Sequence, residues 1–421
     1  MFKFIHAADI HLDSPLKGLE QYEGAPIDEI RGATRRALEN LARLAIDEEV
    51  AFVLIAGDVY DGNWRDFKTG LFFRSEMSRL READIPVYLI SGNHDAANRM
   101  TKSLELPDNV TRLPSKKPAT VPLERYGVSI HGQGFANAAV RENLAAAYPL
   151  ATPGHFNIGL LHTSASGSPS HEPYAACNHD DLRSKEYDYW ALGHIHQRGE
   201  VWGDSRIQFA GNTQGRHIRE TGPKGCLVVS VDDRRRADVR FEPLDVFRWE
   251  RAQVDAGHAE NGYDVVDRVA NELRRVRDDC DDRPVAVRVQ VNGACRAHES
   301  LAAEPARWTN EIRAVARDTA AGNIWIEKVK LETSPAHELD STRWAEGPLA
   351  ELAEYVAQLQ ADPAERARLA GELAELKRKL PAELKEGDDR IDLDDPQLLT
   401  DALRHVEPML LGRLRAGGFA S

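Results

Sequence analysis

One device recurs through the first half of this chain: a short apolar run that breaks into a polar segment rich in Asp, Asn and His. KFIHAADIH, AFVLIAGDVYD and PVYLISGNHD are its first three instances. Each reads as a buried strand that ends in a loop. Between the first two lies RGATRRALENLARLAIDEEV, with Leu38, Leu41, Leu44 and Ala45 at helical spacing, and LFFRSEMSRLREADI repeats that pattern after Asp61. Strand–helix–strand alternation predicts an α/β core. Polar residues at the ends of such strands are where functional sites are assembled.

Further strands are predicted at YGVSIHGQGF, HFNIGLLHTS, YDYWALGHIH, RIQFAGNT, KGCLVVSVD and ADVRFEPL. A domain of about 240 residues that uses all of them needs one large sheet or two packed sheets. A chain of 421 residues is in any case too long for a single ordinary core. A first domain is therefore expected over residues 1–240. A small α/β module follows over 247–335, built from ERAQVDA, YDVVDRVANELRRVRD, PVAVRVQVNG, a helix at Arg307–Thr319 and NIWIEKVKLE. Residues 340–421 read as a charged helical region, with LAELAEYVAQLQ, PAERARLAGELAELKRKL and LTDALRHVEPMLLGRL amphipathic and ELKEGDDRIDLDDPQ an acidic loop.

Bulk properties narrow the class. With 42% hydrophobic and 29% charged residues the chain is expected to be a soluble globular protein. No apolar run approaches the ~20 residues of a membrane span, so no membrane partner is expected. The opening MFKFIHAADIHLDSPL is a poor signal peptide, being broken early by Asp9, His11 and Asp13. Cys177, Cys226, Cys280 and Cys295 are far apart with no CxxC, which suggests thiols in a reducing compartment and a cytoplasmic location. The net charge of −14 argues against coating nucleic acid by bulk attraction. Residues 1–250 carry 30 Lys+Arg against 35 Asp+Glu, and residues 251–421 carry 24 against 33, so the acidity is heavier in the second part.

The strand ends share one chemistry. They present Asp9-Ile10-His11, then Gly57-Asp58-Val59-Tyr60-Asp61, then Gly92-Asn93-His94-Asp95. Later runs end in Leu161-His162-Thr163 and Gly193-His194-Ile195-His196. On a strand, residues i and i+2 share a face, so His194 and His196 are expected to point the same way. Oxygen and imidazole donors without thiolate suit Mn²⁺, Fe²⁺ or Zn²⁺, with Mn²⁺ the first expectation. Asp9, His11, Asp58, Asn93, His162, His194 and His196 are too many ligands for one ion and about right for two that share a carboxylate. Each fragment alone is more often a turn, since Gly and Asp favour turns. Their joint occurrence in order, each closing an apolar run, makes the metal reading the stronger one.

This five-part set resembles the calcineurin-like metallophosphoesterases, whose signature is D-x-H, G-D-x-x-D, G-N-H-[DE], a lone H and G-H-x-H. The resemblance covers roughly residues 1–235. It implies a sandwich of two sheets flanked by helices, with Asp9, His11, Asp58 and His196 on one ion and Asp58, Asn93, His162 and His194 on the other. It also implies hydrolysis by a metal-bridging hydroxide, with His94 stabilising the transition state and protonating the leaving oxygen, and Asp61 orienting His94. Within the superfamily, ADIHLDSPL, GDVYD, ALGHIHQR and FAGNTQGRHIRETGPKGC are similar to the SbcD/YhaO type of DNA double-strand-break repair nuclease subunit. That implies DNA as substrate, a capping domain that positions it, and C-terminal helices that dock on a coiled-coil ATPase of SbcC or YhaN type. Related nucleases also pair as homodimers through the phosphoesterase domain.

Arg216, His217 and Arg219 follow the metal-bearing strands and are candidates for backbone phosphate contacts, with solvated loop charge as the equal alternative. His6 and His131 read as ordinary strand histidines. Two other functions stay open at this level: a metallophosphatase or phosphodiesterase for small molecules or nucleotides, and a scaffold without turnover. The long C-terminal region favours the nuclease over the first, and the complete ligand set disfavours the second.

Overall fold

A computed structural model describes residues 1–14, 32–61, 67–97, 104–165, 174–319, 323–336 and 348–373, together with 379, 402 and 403. The chain divides into two compact units, Met1–Glu250 with Asp279–Ala286, and Arg251–Asp278 with Val287–Ser421.

The first unit opens with β1 (Phe2–Ala7), α1 (Ala33–Asp47), β2 (Phe52–Ile55), α2 (Phe67–Glu82), β3 (Val87–Leu89), α3 (Asn93–Ala97) and β4 (Val110–Arg112). It continues with β5 (Ala119–Leu123), β6 (Val128–Gln133), β7 (Phe156–His162), α4 (His179–Arg183), β8 (Tyr189–Gly193), β9 (Gly199–Val201), β10 (Asp204–Phe209), β11 (Gly225–Val231) and β12 (Ala237–Pro243). These strands form two six-stranded sheets, ordered β12-β11-β1-β2-β3-β4 and β5-β6-β7-β8-β10-β9. The centre of each is parallel: β1, β2, β3 and β4 run together, as do β6, β7, β8 and β10. Parallel neighbours put their C-terminal ends on one edge, which gathers the polar strand ends.

Period-2 alternation explains the layering. In β1 and β2, Ile5, Val53 and Ile55 join the core under α1 and α2, with Leu38, Leu41 and Phe73. Phe4, Phe52 and Leu54 join a second core with Ile130, Ile158, Leu160 and Tyr189 of the other sheet. Phe4 stacks on Phe52 with centroids 5.0 Å apart and meets Tyr189 edge-on at 5.5 Å, so aromatic packing joins the sheets. A third core, with Trp190, Leu192, Phe209 and Leu182, covers the outer face of the second sheet. The expected two-sheet sandwich is the fold found.

His6 is a core histidine: Nδ1 faces Tyr189 Oη at 3.0 Å and Nε2 the Leu192 carbonyl at 3.0 Å, and burial pushes its pKa down to about 3. His131 is likewise held between Thr120 and Asn157. All four cysteines are buried and none is bridged to another. One local expectation fails. Strand β8 ends at Gly193, so His194 and His196 lie on the following loop, and His194 has φ +101°. Strand alternation therefore does not orient them.

The second unit contains most of a three-stranded sheet, β13 (Arg248–Asp255), β14 (Val285–Cys295) and β15 (Ile324–Pro335), in that order. Helix α5 (Gly262–Asp279) buries Val265, Val266, Val269, Leu273 and Val276, a stripe at helical period. Next come α6 (His298–Ala303), α7 (Pro305–Thr319), α8 (Pro348–Ala361) and α9 (Pro363–Glu372). Arg288 on β14 donates twice to the Glu327 carboxylate of β15 at 2.7 Å, a buried pair that ties the register of these strands. The acidic loop ELKEGDDRIDLDDPQ and nearly all of LTDALRHVEPMLLGRL lie outside the described residues. Among the described residues no helix is long and apolar enough to cross a membrane.

Candidate dimetal centre

The strand ends bring together the side chains of Asp9, His11, Asp58, Asn93, Asp61, His94, His162 and His196, while His194 joins through its ring beside His162 and belongs to none of the donor trios below. Asp9 and His11 follow β1, Asp58 and Asp61 follow β2, Asn93 and His94 open α3, His162 ends β7, and His194 and His196 follow β8. Three overlapping trios, Asp9/His11/His196, His11/Asp58/His94 and Asp9/Asp58/His162, each have donor atoms within 4.8 Å of one another.

Asp58 lies between two groups of acceptors. On one side, His11 Nε2 is 3.9 Å from Asp58 Oδ2 and 3.2 Å from His196 Nε2. On the other, His162 Nε2 is 3.5 Å from Asp58 Oδ2 and 3.0 Å from Asn93 Oδ1. The His194 ring stands edge-on to His162 with centroids 5.2 Å apart. The backbone N–H of His194 donates to both carboxylate oxygens of Asp9, and that of His94 donates to Asp58 Oδ1 at 2.9 Å.

The outer nitrogens of two imidazoles are committed. His162 Nδ1–H donates to the Ala56 carbonyl at 2.9 Å, which turns Nε2 into the cluster. His196 Nδ1 is 2.6 Å from Glu220 Oε1 and again is the protonated nitrogen, since a bare lone pair would repel a carboxylate at that distance. Turned this way, His196 Nε2 and His162 Nε2 both point into the cluster, where a divalent cation could take the place of their contacts with His11, Asn93 and Asp58. His11 Nδ1 is a buried nitrogen without a hydrogen-bond partner. Such a donor set, hard oxygens with imidazoles, fits divalent cations.

The backbone holds this arrangement in unfavourable conformations. Asp9 (φ +49°), His11 (+44°), Asp58 (+51°) and His194 (+101°) are all left-handed non-glycine residues. Each costs about 1–3 kcal/mol, a strain that concentrates at functional sites. Close packing adds a second constraint. A Cβ on Gly92 would collide with the Asp58 carboxylate, and one on Gly193 with the Ala56 carbonyl. Asp95 joins two of the loops, its buried carboxylate accepting from Val59 N, Tyr60 N and Gly92 N at 3.0–3.2 Å. Burial and the charge of Asp58 raise its pKa to about 6.

Charge is distributed to suit cations. Burial drives the His11 imidazole well below its ordinary pKa, helped by Arg216, His196 and His94, which keeps it neutral as a ligand must be. Burial also opposes the charges of Asp58 and His162, but their mutual attraction wins, lowering the carboxyl and raising the imidazole. At the rim, His94 Nδ1 is 3.0 Å from Asp61 Oδ1, and Ser14 Oγ donates to Asp61 Oδ2 at 2.8 Å. The bond to His94 holds the Asp61 carboxyl far below the usual range. Burial would lower the His94 pKa, yet the bond to Asp61 and the charges of Asp58 and Asp61 raise it overall.

Of the expected phosphate contacts, Arg216 is mostly buried and directed at Glu220, with Nη2 2.9 Å from Oε1 and 3.0 Å from His196 Nδ1. His217 Nε2 is 3.5 Å from the same Oε1, and Arg219 is exposed. Glu220 was not legible beforehand. It is one acid in the loop RHIRETG, and only the folding of that loop behind His196 gives it a partner.

Residues 2–198 match the calcineurin-like phosphoesterase family, and residues 249–334 match the middle domain of metallophosphoesterase YhaO. An uncharacterized metallophosphoesterase YhaO from Bacillus subtilis is 35% identical over 347 residues, covering 80% of this chain and 83% of the relative. A DNA double-strand break repair protein Mre11 from Sulfurisphaera tokodaii is 29% identical over 218 residues, 50% of this chain and 53% of that protein. A crystal structure of a dimetal phosphatase from Danio rerio aligns at 13% identity and a TM-score of 0.36, over 57% of this chain and 98% of that one. On the strength of the motif geometry and the YhaO relative, the chain belongs to the calcineurin-like metallophosphoesterase family.

Proposed function

We propose that this chain is a two-metal-dependent phosphodiesterase that cuts DNA, acting as the nuclease subunit of a repair complex with an SbcC/YhaN-like coiled-coil ATPase. The observation that carries the reading is the pair of acceptor groups on either side of Asp58, with the His94–Asp61 pair at their rim. The similarity to a protein named for DNA double-strand break repair supports DNA as substrate over a small molecule.

Asp9, His11, Asp58 and His196 would hold one ion, and Asp58, Asn93, His162 and His194 the other. Bound there, two divalent cations, Mn²⁺ first among them, supply Lewis acidity that makes water nucleophilic near neutral pH and offsets phosphoryl charge. The chain does the rest. His94, kept protonated by Asp61, donates a proton to the departing alkoxide. Asp61 fixes the ring by taking its Nδ1–H, so that Nε2 is the catalytic nitrogen. The charge of Arg216, close to Asp9 and Asp61, attracts the phosphodiester without having to leave Glu220.

Three subsidiary assignments belong to the same proposal: residues 247–335 as the DNA-positioning cap, residues 340–421 as the ATPase-docking region, and pairing of two copies through the phosphoesterase domain in the cytoplasm. They rest on the resemblance of motifs and domain order. The test is cleavage of single- and double-stranded DNA with Mn²⁺, alone and with the cognate ATPase, beside bis-p-nitrophenyl phosphate. Mn²⁺-dependent DNA cleavage is expected. Turnover of the small ester with no DNA cleavage under either condition would replace the nuclease reading with the small-molecule one.

A further inference from the structure

The loop after β10 carries a polar group for which the phosphoesterase signature has no place. Glu220 is buried to 5% exposure, yet it holds a full carboxylate. Oε2 accepts from the backbone N–H of Arg216 at 2.8 Å and from Asn212 Nδ2 at 2.9 Å. Oε1 accepts from Arg216 Nη2 at 2.9 Å and from His196 Nδ1–H at 2.6 Å. The last is the shortest of the set, as expected of a charge-assisted bond. Lys224 Nζ closes the surround by donating to the His196 carbonyl at 3.2 Å. His196 sits on a loop, so its ring direction is set by these bonds.

The guanidinium resolves an apparent conflict. Arg216 Nη2 lies 3.0 Å from His196 Nδ1 and would be its donor if that nitrogen were bare. A bare nitrogen could not approach Oε1 to 2.6 Å, so Nδ1 carries the proton, and the imidazole N–H and the guanidinium both donate to one oxygen. Neutralised in this way, Glu220 can remain buried without a desolvation cost large enough to protonate it. Burying a carboxylate together with its arginine is costly, and the ring that this pair holds is one imidazole of the cluster.

We infer that Glu220 is a positioning residue for the metal centre. It fixes the tautomer and direction of His196, raises the basicity of Nε2, and so sets the affinity for the ion on the Asp9/His11/His196 side. Arg216 serves as its counter-charge. On the opposite side, His162 is backed instead by the neutral Ala56 carbonyl. A ligating histidine that loses its outer hydrogen-bond partner typically loses 10–100-fold in metal affinity, roughly. The inference rests on the two-metal reading above.

The test is calorimetric titration of the full chain, stripped of metal, with Mn²⁺ alone. Wild type takes up two ions. Glu220→Gln keeps the size and loses the charge, and it should weaken one ion by about 10–100-fold while leaving the other within error. Glu220→Asp, which keeps the charge, should fall between. The decisive arm is the double variant Glu220→Gln/His196→Ala, whose ion binding should match His196→Ala alone, because Glu220 acts through His196. Equal weakening of both ions, no weakening, or an effect of Glu220→Gln that persists without His196 would each overturn the inference. Fewer than two ions in wild type would instead overturn the two-metal reading itself.

Discussion

The two sides of Asp58 are built by different means. His196 is held by side chains from a distant loop, Glu220 and Arg216, and stands on a segment with no strand partner. His162 ends strand β7, and its outer nitrogen donates to the backbone of Ala56, beside Gly57 and Gly92. One side is therefore sensitive to side-chain charge, the other to backbone packing. Both rings turn Nε2 towards Asp58's neighbourhood. A two-ion centre can thus be tuned on one side by substitution alone, while the other side is part of the sheet.

Asp58 is common to both sides, so Asp58→Ala is the most damaging change. It should remove both ions, read by elemental analysis, and reduce phosphodiester hydrolysis to background. Retention of two ions would break the shared-carboxylate reading. His94→Ala spares both sides and should lower kcat by about 10²–10⁴-fold with metal content unchanged. Should metal fall in step with activity, His94 is a ligand, as its place in the His11/Asp58/His94 trio would allow.

Asp61→Asn acts through His94 and separates proton donation from metal binding. Asp61 raises the His94 pKa, so its loss lowers that value. Activity that needs protonated His94 is present below that pKa and lost above it. The alkaline limb of kcat/KM should accordingly move to lower pH, and an unmoved limb would remove Asp61 from the proton path. Gly92→Ala tests the packed side: the added methyl collides with Asp58, and overpacking of this kind costs about 1–3 kcal/mol of stability. Its effect should appear in the melting temperature of metal-stripped protein.

How far the sequence could be read differs along the same line. Asp9, His11, Asp58, Asn93, His162, His194 and His196 were legible because each closes an apolar run, and parallel strands carry their ends to one edge. His94 and Asp61 came with them, and the 3.0 Å contact between their side chains was expected in kind. The orientation of His194 and His196 was not legible. The i, i+2 argument needs a strand, and β8 stops at Gly193. Nor do residue types reveal that Asp9, His11, Asp58 and His194 adopt left-handed conformations, because loop context imposes them. Arg216 was singled out for its charge, but its guanidinium is directed at an acid that one-dimensional spacing cannot identify. The second unit has no motif of comparable specificity. Its helices and strands follow from hydrophobic period, whereas its role does not.

Anomalous scattering from crystals grown with Mn²⁺ tests the central claim most directly. The account predicts two peaks about 3.5–4 Å apart, both touching Asp58, one beside His11 and His196 and the other beside Asn93 and His162. A single peak, or two that do not share Asp58, would contradict it.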